Sequence, residues 1–187
     1  MSVGIVEDRL RAYRRFVKLP WSRGLSGSER VWVVIYPPAE ERRIRRRIDE
    51  FALATAEANR EWAMIDLTPM FAEWMAAHPY REQYFKSPAT LPLALGDFAA
   101  ELADRVRARL DELSNENTVV ALVGAGSLFG LGPVRLSRLV EDIDSAIKGR
   151  LLVFFPGDRD GHNYRLLDAR DGWSYLAIAI DQTEEGS

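Results

Sequence analysis

Residues 124–132 form a glycine-rich segment that directly follows a hydrophobic run. Closely spaced glycines let backbone N–H groups approach a phosphate, and the start of a following helix attracts the same negative charge. The spacing matches no common motif, however. No Lys or Arg stands near enough for a P-loop, Phe129 replaces the third glycine of a dinucleotide-binding fingerprint, and Ser127 lacks the flanking glycines of a nucleophile elbow. Two interpretations stay open: a structural turn, or contact of Gly124, Gly126 and Ser127 with a ligand or partner.

A second polar group follows a later hydrophobic run, in the segment 156–162. Asp158 and Asp160, together with Asp66, could supply the oxygen ligands that Mg²⁺ prefers, and His162 could exchange protons near neutral pH. Asp and Gly also form reverse turns, which accounts for the same segment without a ligand. A nucleotide- or Mg²⁺-dependent phosphotransfer or hydrolase site therefore stays an alternative, while we predict no catalytic residue, no bound metal and no cofactor.

The third candidate is an arginine run, residues 42–47, in which only Ile44 is apolar. On a helix, Ile44 faces inward and the guanidinium groups spread over the outer surface. Three pairs have the i,i+4 spacing of helical ion pairs, each contributing only about 0.2–0.5 kcal/mol: Glu41–Arg45, Arg45–Asp49 and Arg46–Glu50. A solvated helix face is the simplest interpretation, and contact with an acidic protein partner or with nucleic-acid phosphates is the alternative. The candidates for such a surface are Arg42, Arg43, Arg46 and Arg47.

The overall composition excludes several other chemistries. The 187 residues include two His and no Cys, which excludes disulfides, thiolate nucleophiles, iron–sulfur clusters and zinc sites that need sulfur or three histidines. No apolar run reaches the roughly 18–20 residues of a membrane span, and no signal peptide is recognisable. We therefore expect a soluble protein of the cytoplasm.

Charge is distributed unevenly along the chain. Residues 1–60 carry 13 Lys or Arg and 8 Asp or Glu, a net charge of +5, whereas residues 61–187 carry 12 and 20, a net charge of −8. This asymmetry indicates an interaction surface without identifying the partner. Trp21 and Trp173 lie in predicted loops, where each could anchor an interface or cover the core.

Hydrophobic patterns predict the elements that must position these residues. Five continuous apolar runs are typical of strands in a parallel sheet covered on both faces, and they span residues 31–36, 62–67, 118–123, 151–155 and 174–180. Helical periodicity fills the intervals, over residues 5–18, 40–60, 69–78, 93–113 and 134–147, with Thr68 as the N-cap of the third helix. Residues 79–92 contain three prolines and predict a broken connection with one short helix.

This alternation predicts one α/β domain over residues 1–187. We expect three layers, with a mostly parallel sheet of about five strands flanked by helices, similar to Rossmann or P-loop folds but without a functional P-loop. The acidic tail 182–187 is expected to fray. Ligands of such sheets gather at the carboxyl ends of the strands, which is where the glycine-rich segment and the segment 156–162 belong.

Several short motifs resemble the BrxB family, whose members are small components of BREX (bacteriophage exclusion) defence systems. In the distal half they are the run from Val119 to Phe129 with Gly-Ala-Gly-Ser, the stretch Arg135-Leu-Ser-Arg-Leu139, and the segment 152–161 with Phe-Pro-Gly and Asp-Gly. Tyr36-Pro37-Pro38 and Ile65-Asp66-Leu67 continue the similarity into the proximal half, so that it spans about residues 5–181.

The resemblance implies membership of a prokaryotic, multi-gene phage-defence operon. Family members accompany a large ATPase, an adenine-specific DNA methyltransferase and a PglZ-type protein similar to alkaline phosphatases. No catalytic residues are established for the family, so the glycine motif and the Phe-Pro-Gly segment carry over only as signature positions. We therefore expect a non-catalytic adaptor subunit that binds other defence proteins, with DNA contact through the arginine run or weak enzymatic activity as alternatives.

Overall fold

The computed structural model describes residues 4–160, 163–166, 173–174 and 177–180. His162, the side chains of Asp160 and Trp173, and the predicted acidic tail 182–187 lie outside the described residues.

A parallel sheet of five strands forms the centre of the fold. The strands are β1 (Val31–Tyr36), β2 (Glu61–Asp66), β3 (Thr118–Val123), β4 (Arg150–Asp160) and, after two further strands, β7 (Ile178–Ala179). Their order across the sheet is β2-β3-β4-β1-β7, and every neighbouring pair is parallel. The predicted α/β class is therefore confirmed. Of the remaining strands, β5 (Asn163–Leu166) pairs antiparallel with the far end of β4, and β6 (Trp173–Ser174) pairs antiparallel with β5.

Helices cover both faces of the sheet and complete three layers. The helices of one face are α1 (Ile5–Val17), α2 (Glu41–Arg46) and α3 (Ile48–Glu57). The helices of the opposite face are α4 (Met70–Ala77), α6 (Leu95–Leu113) and α7 (Leu136–Ile143). Between α4 and α6 lie the short helix α5 (Arg81–Lys86) and a 3₁₀ segment, Pro88–Leu93, as the prolines of this connection predict.

The direction of the connections explains how the helices divide between the faces. From β1 the chain crosses to β2 at the edge of the sheet, and then returns stepwise to β3 and β4. Parallel crossovers share one hand, so a reversal of direction moves the helices to the opposite face. The loops that leave β1 and β2 therefore run to opposite faces of the sheet at its carboxyl edge.

Continuous apolar strands produce two separate cores. Every residue of β1 and of β3 is buried. Because successive side chains of a strand point to opposite faces, Val31, Val33 and Ile35 pack with α4, α6 and α7, whereas Trp32 and Val34 pack with α1 and α3. Polar chemistry is thus confined to the ends of the strands.

The prediction of a loop over 156–162 is wrong for its first part. Strand β4 continues through Pro156 to Asp160. Antiparallel pairing with β5, from Gly157 opposite Leu166 to Asp160 opposite Asn163, supplies the backbone hydrogen bonds that a turn would otherwise provide. The predicted strand 174–180 is also divided, since its described parts belong to β6 and β7.

The predicted helix 40–60 is interrupted and ends early. Arg47 leaves helical geometry with φ −116° and ψ 9°, so α2 and α3 are separate helices, and both Ile44 and Ile48 are buried. Asn59 then adopts a left-handed φ of 56°, which Asn tolerates well, and the N–H of Arg60 bonds back to the carbonyl of Thr55. Arg60 is thereby placed at the start of β2 instead of on the helix.

A buried hydrogen bond ties α1 to α3. The Tyr13 hydroxyl lies 2.6 Å from the Thr55 hydroxyl, which in turn donates to the Phe51 carbonyl at 2.8 Å. Tyr13 therefore donates to Thr55. Burial raises the pKa of the Tyr13 phenol, and the bond to Thr55 offsets only part of that increase.

Because the pKa of Tyr13 is raised in the folded state, the stability of the protein should fall at alkaline pH. The contribution of Tyr13 is fully present below the unfolded pKa of about 10 and is lost as the pH rises further. We expect the free energy of unfolding, measured by urea denaturation, to fall above about pH 10. Tyr13→Phe should reduce that slope and cost about 1 kcal/mol at neutral pH. The exposed Tyr80→Phe is the control, and equal slopes in wild type and Tyr13→Phe would contradict the assignment.

Candidate functional site

Three strand ends bring polar side chains together at the carboxyl edge of the sheet. Tyr36 ends β1, Asp66 ends β2 and is paired with Val123 of β3, and Gly124 follows β3 directly. This is the edge at which open α/β sheets bind ligands. The chain therefore brings Asp66 to the glycine-rich segment, as its position after a strand predicts.

Arg45 links the loops that follow β1 and β2. Its guanidinium group donates to Glu41 Oε1 at 2.8 Å, to Asp66 Oδ2 at 3.4 Å and to Thr68 Oγ1 at 2.6 Å. Glu41 also accepts a bond of 2.6 Å from the Tyr36 hydroxyl. One arginine on α2 is thus linked to the ends of both β1 and β2.

Asp66 is an ionised and already partnered carboxylate. Its Oδ1 accepts the backbone N–H of Thr68 at 2.9 Å. Burial raises the pKa of Asp66, but hydrogen bonds from Thr68 and the positive charge of Arg45 outweigh it, so the pKa lies below its ordinary value. Such a group is a poor general acid or base near neutral pH.

Thr68 does not cap α4, contrary to the prediction. Helix α4 begins at Met70, with no capping bond from a side chain. The Thr68 hydroxyl instead accepts from Arg45, since the loop after β2 turns toward α2 through the bond between its own N–H and Asp66. A local capping motif is therefore replaced by a longer-range contact.

The glycine-rich segment packs against this network. Gly124 has a φ of 80°, and a Cβ on it would lie 2.7 Å from Asp66 Oδ1 and 2.8 Å from the Thr68 nitrogen. The Ser127 hydroxyl donates to the Gly124 carbonyl at 2.7 Å, within a 3₁₀ turn, Ala125–Leu128. Of the two interpretations of this segment, these contacts favour the structural turn. Gly126 is less constrained, since its nearest neighbour is Pro156 Cγ at 3.5 Å.

Asp158 lies away from Asp66. Strand β3 separates their strands, and Asp158 stands five residues beyond Val153, the last β4 residue paired with β3. At about 3.3 Å per residue and about 4.8 Å between strands, their Cα atoms are roughly 15 Å apart, too far for both carboxylates to ligate one Mg²⁺. Asp158 instead lines a groove of about 360 Å³ with Ile5, Arg9 and Tyr36. Among the described residues, no three His, Asp or Glu side chains are grouped as a metal site would require.

The four arginines of the candidate surface differ in their partners. Arg43 pairs with Glu40 at 3.1 Å. Arg47 donates to Glu50 at 2.6 and 2.9 Å and also pairs with Glu7 of α1, so it joins α1 to the α2–α3 junction. Arg42 and Arg46 are exposed, and in the described part of the chain neither has a carboxylate within 4 Å. Of the four, Arg42 and Arg46 are therefore the two that the described residues leave uncompensated.

Arg45 is the residue that sequence reasoning missed. Of the predicted i,i+4 pairs, the structure confirms the one with Glu41, whereas the predicted pair of Arg46 with Glu50 is wrong because Glu50 pairs with Arg47. Nothing in the local sequence predicts the contacts of Arg45 with Asp66 and Thr68, which lie 21 and 23 residues further along the chain.

Fold and site together define an α/β domain in which Arg45 links the loops that follow β1 and β2 at the carboxyl edge of the sheet. Comparison with protein-family models, with curated proteins and with solved structures finds no match. Within the described residues, no helix has the length and apolar character needed to cross a membrane.

Removing Arg45 should destabilise the domain more than removing its neighbour. Arg45→Met leaves Glu41 and Asp66 uncompensated, and because these groups are partly exposed we expect a loss of about 1 kcal/mol in urea denaturation. The matched Arg46→Met should stay within about 0.5 kcal/mol of wild type. Because the pKa of Asp66 is lowered, the deficit of Arg45→Met should be present above about pH 4 and shrink below it. Equal stabilities of the two variants would refute the bridging role.

Two alanine substitutions in the glycine-rich segment should differ in their effect on stability. Gly124→Ala forces a Cβ into a left-handed conformation and against Asp66 and Thr68, so we expect a loss of about 2 kcal/mol or more. Gly126→Ala meets ordinary contacts and should change stability by less than about 0.5 kcal/mol. Chemical denaturation of both variants measures the difference, and a tolerated Gly124→Ala would contradict the close packing.

Proposed function

We propose that this protein is a non-catalytic assembly subunit of a BREX-type phage-defence system, in which it binds other defence proteins. The motifs of the BrxB family, distributed over nearly the whole chain, support the pathway. The arrangement at the carboxyl edge supports the absence of catalysis, because Asp66 is neutralised by Arg45 and held by Thr68. The Ser127 hydroxyl bonds within its own turn.

Exposed apolar side chains support the proposal that another protein binds this chain. Tyr80, Phe85 and Leu93 are 62, 71 and 88% exposed, and all three lie in the connection between α4 and α6. Large apolar groups concentrated on one exposed segment are typical of surfaces that another protein covers.

The uncompensated arginines supply a second contact of defined chemistry. Arg42 and Arg46 project from α2 without carboxylate partners among the described residues. An acidic surface of a partner protein would compensate these positive charges and steer association. DNA phosphates offer the same chemistry, which makes DNA contact an alternative to be separated by experiment.

Co-expression with the proteins encoded beside it, followed by affinity capture, tests the proposal. We expect the ATPase, the methyltransferase or the PglZ-type protein to be captured with the wild-type chain. Arg42→Glu with Arg46→Glu, or Phe85→Ser with Leu93→Ser, should reduce capture about tenfold or more. The matched control is Arg15→Glu with Lys18→Glu, which makes the same charge change at the end of α1. Recovery of the chain alone, with every partner soluble, would argue against an assembly role.

A DNA-binding assay distinguishes the alternative. Duplex binding that weakens with salt and is lost in Arg42→Glu with Arg46→Glu, without capture of any protein, would favour DNA contact over an adaptor role.

A further inference from the structure

A cavity lies at the opposite, amino-terminal edge of the sheet. Its volume is about 210 Å³, and its lining includes Trp21, Arg23, Arg30, Arg60, Lys148 and Arg150. Arg30 immediately precedes β1, Arg60 precedes β2 and Arg150 begins β4. The starts of parallel strands thus bring together cations from three separate segments of the chain.

Three of these arginines have no carboxylate within 4 Å among the described residues, and bind neutral oxygens instead. Arg30 donates to the carbonyls of Leu25 at 3.2 Å and Ile147 at 3.1 Å. Arg60 donates to Asn117 Oδ1 at 2.6 Å, and Arg150 to the Gly149 carbonyl at 3.0 Å. The hydrogen bonds orient the guanidinium groups without neutralising them. Among the described residues of the lining, Glu116 is the one carboxylate, against five cations.

Arg150 is the buried arginine of this group, and its charged form is destabilised by burial and by the neighbouring positive charges. Arg150 is only 5% exposed. Burial, followed by repulsion from Arg30 and Arg60, lowers the pKa of Arg150 to about 10. Contact with the Trp21 ring at 4.7 Å compensates for part of this cost, as does the contact of Arg60 with the same ring at 4.0 Å.

Trp21 contributes an unused donor. Its ring packs edge-on against Trp32 in the core, with centroids 5.6 Å apart. Its indole N–H is buried and has no hydrogen-bond partner in the described part of the chain. A buried donor without a partner is unusual in folded proteins and points to a group that the described residues do not supply.

We propose that this cavity binds a small, multiply charged anion of the phosphate class, such as pyrophosphate or the phosphate chain of a nucleotide. Guanidinium forks match phosphate oxygens in geometry, and a bound anion would relieve the repulsion among the arginines. The concave shape and small volume suit a small molecule better than a duplex. This site goes beyond the adaptor function, since it lies at the edge of the sheet opposite α2 and uses different residues.

Calorimetric titration with pyrophosphate tests the proposal. At constant ionic strength we expect saturable binding by the wild-type chain, while chloride at the same ionic strength gives none. Arg23→Gln and Arg60→Gln should each weaken binding about tenfold, and Glu116→Gln should tighten it. Arg42→Gln, which removes the same charge at the opposite edge, should bind as wild type does. A denaturation curve for each variant confirms that it is folded.

Two outcomes would overturn the proposal. One is the absence of pyrophosphate binding up to millimolar concentration, or binding that Arg23→Gln and Arg60→Gln weaken no more than Arg42→Gln does. The other is duplex DNA that binds with this residue dependence while pyrophosphate does not. Capture of partner proteins should be unchanged in Arg23→Gln, so failure here is distinguishable from failure of the adaptor proposal.

Discussion

Burial of the central strands of a parallel sheet on both faces is the constraint on which the rest of this structure depends. Every residue of β1 and β3 is buried, and on each face of the sheet the strands and the helices together form a hydrophobic core. Backbone groups are satisfied within the sheet, so polar side chains are concentrated where strands begin and end. Both candidate sites follow from this, because each edge gathers residues from strands that are distant in sequence.

At the carboxyl edge, tertiary contacts decide what the polar residues can do. The loops after β1 and β2 run to opposite faces of the sheet, and Arg45 links them. Its contacts with Glu41, Asp66 and Thr68 engage polar side chains at the ends of these strands. The pairs are partly exposed, so their contribution to stability is modest. Their larger effect is to fix the loops relative to one another, which suits a surface that presents groups to a partner.

Continuous apolar runs predicted the sheet well, because short runs rich in β-branched residues fold mainly as strands buried on both faces. The site was predicted less well, for physical reasons that particular residues illustrate. The interruption at Arg47 involves neither Pro nor Gly, and its partners Glu7 and Glu50 become apparent only when α1 packs beside α3. Asp158 and Gly157 have the composition of a turn, but pairing with β5 makes them part of a strand. The cavity at the amino edge was not predicted, since its cations come from three segments that show no common motif.

The basic character of residues 1–60 can be assigned to separate places in the fold. Part of it is neutralised inside the domain, where Arg45 meets Asp66 and Arg47 meets Glu7 and Glu50. Another part divides between the two edges, with Arg42 and Arg46 on α2 and Arg23, Arg30 and Arg60 around the cavity. Exposed arginines on a helix attract a broad acidic surface, whereas arginines that line a cavity beside a tryptophan favour a compact anion. A single net charge for this region therefore conceals two separate groups of arginines, one at each end of the strands.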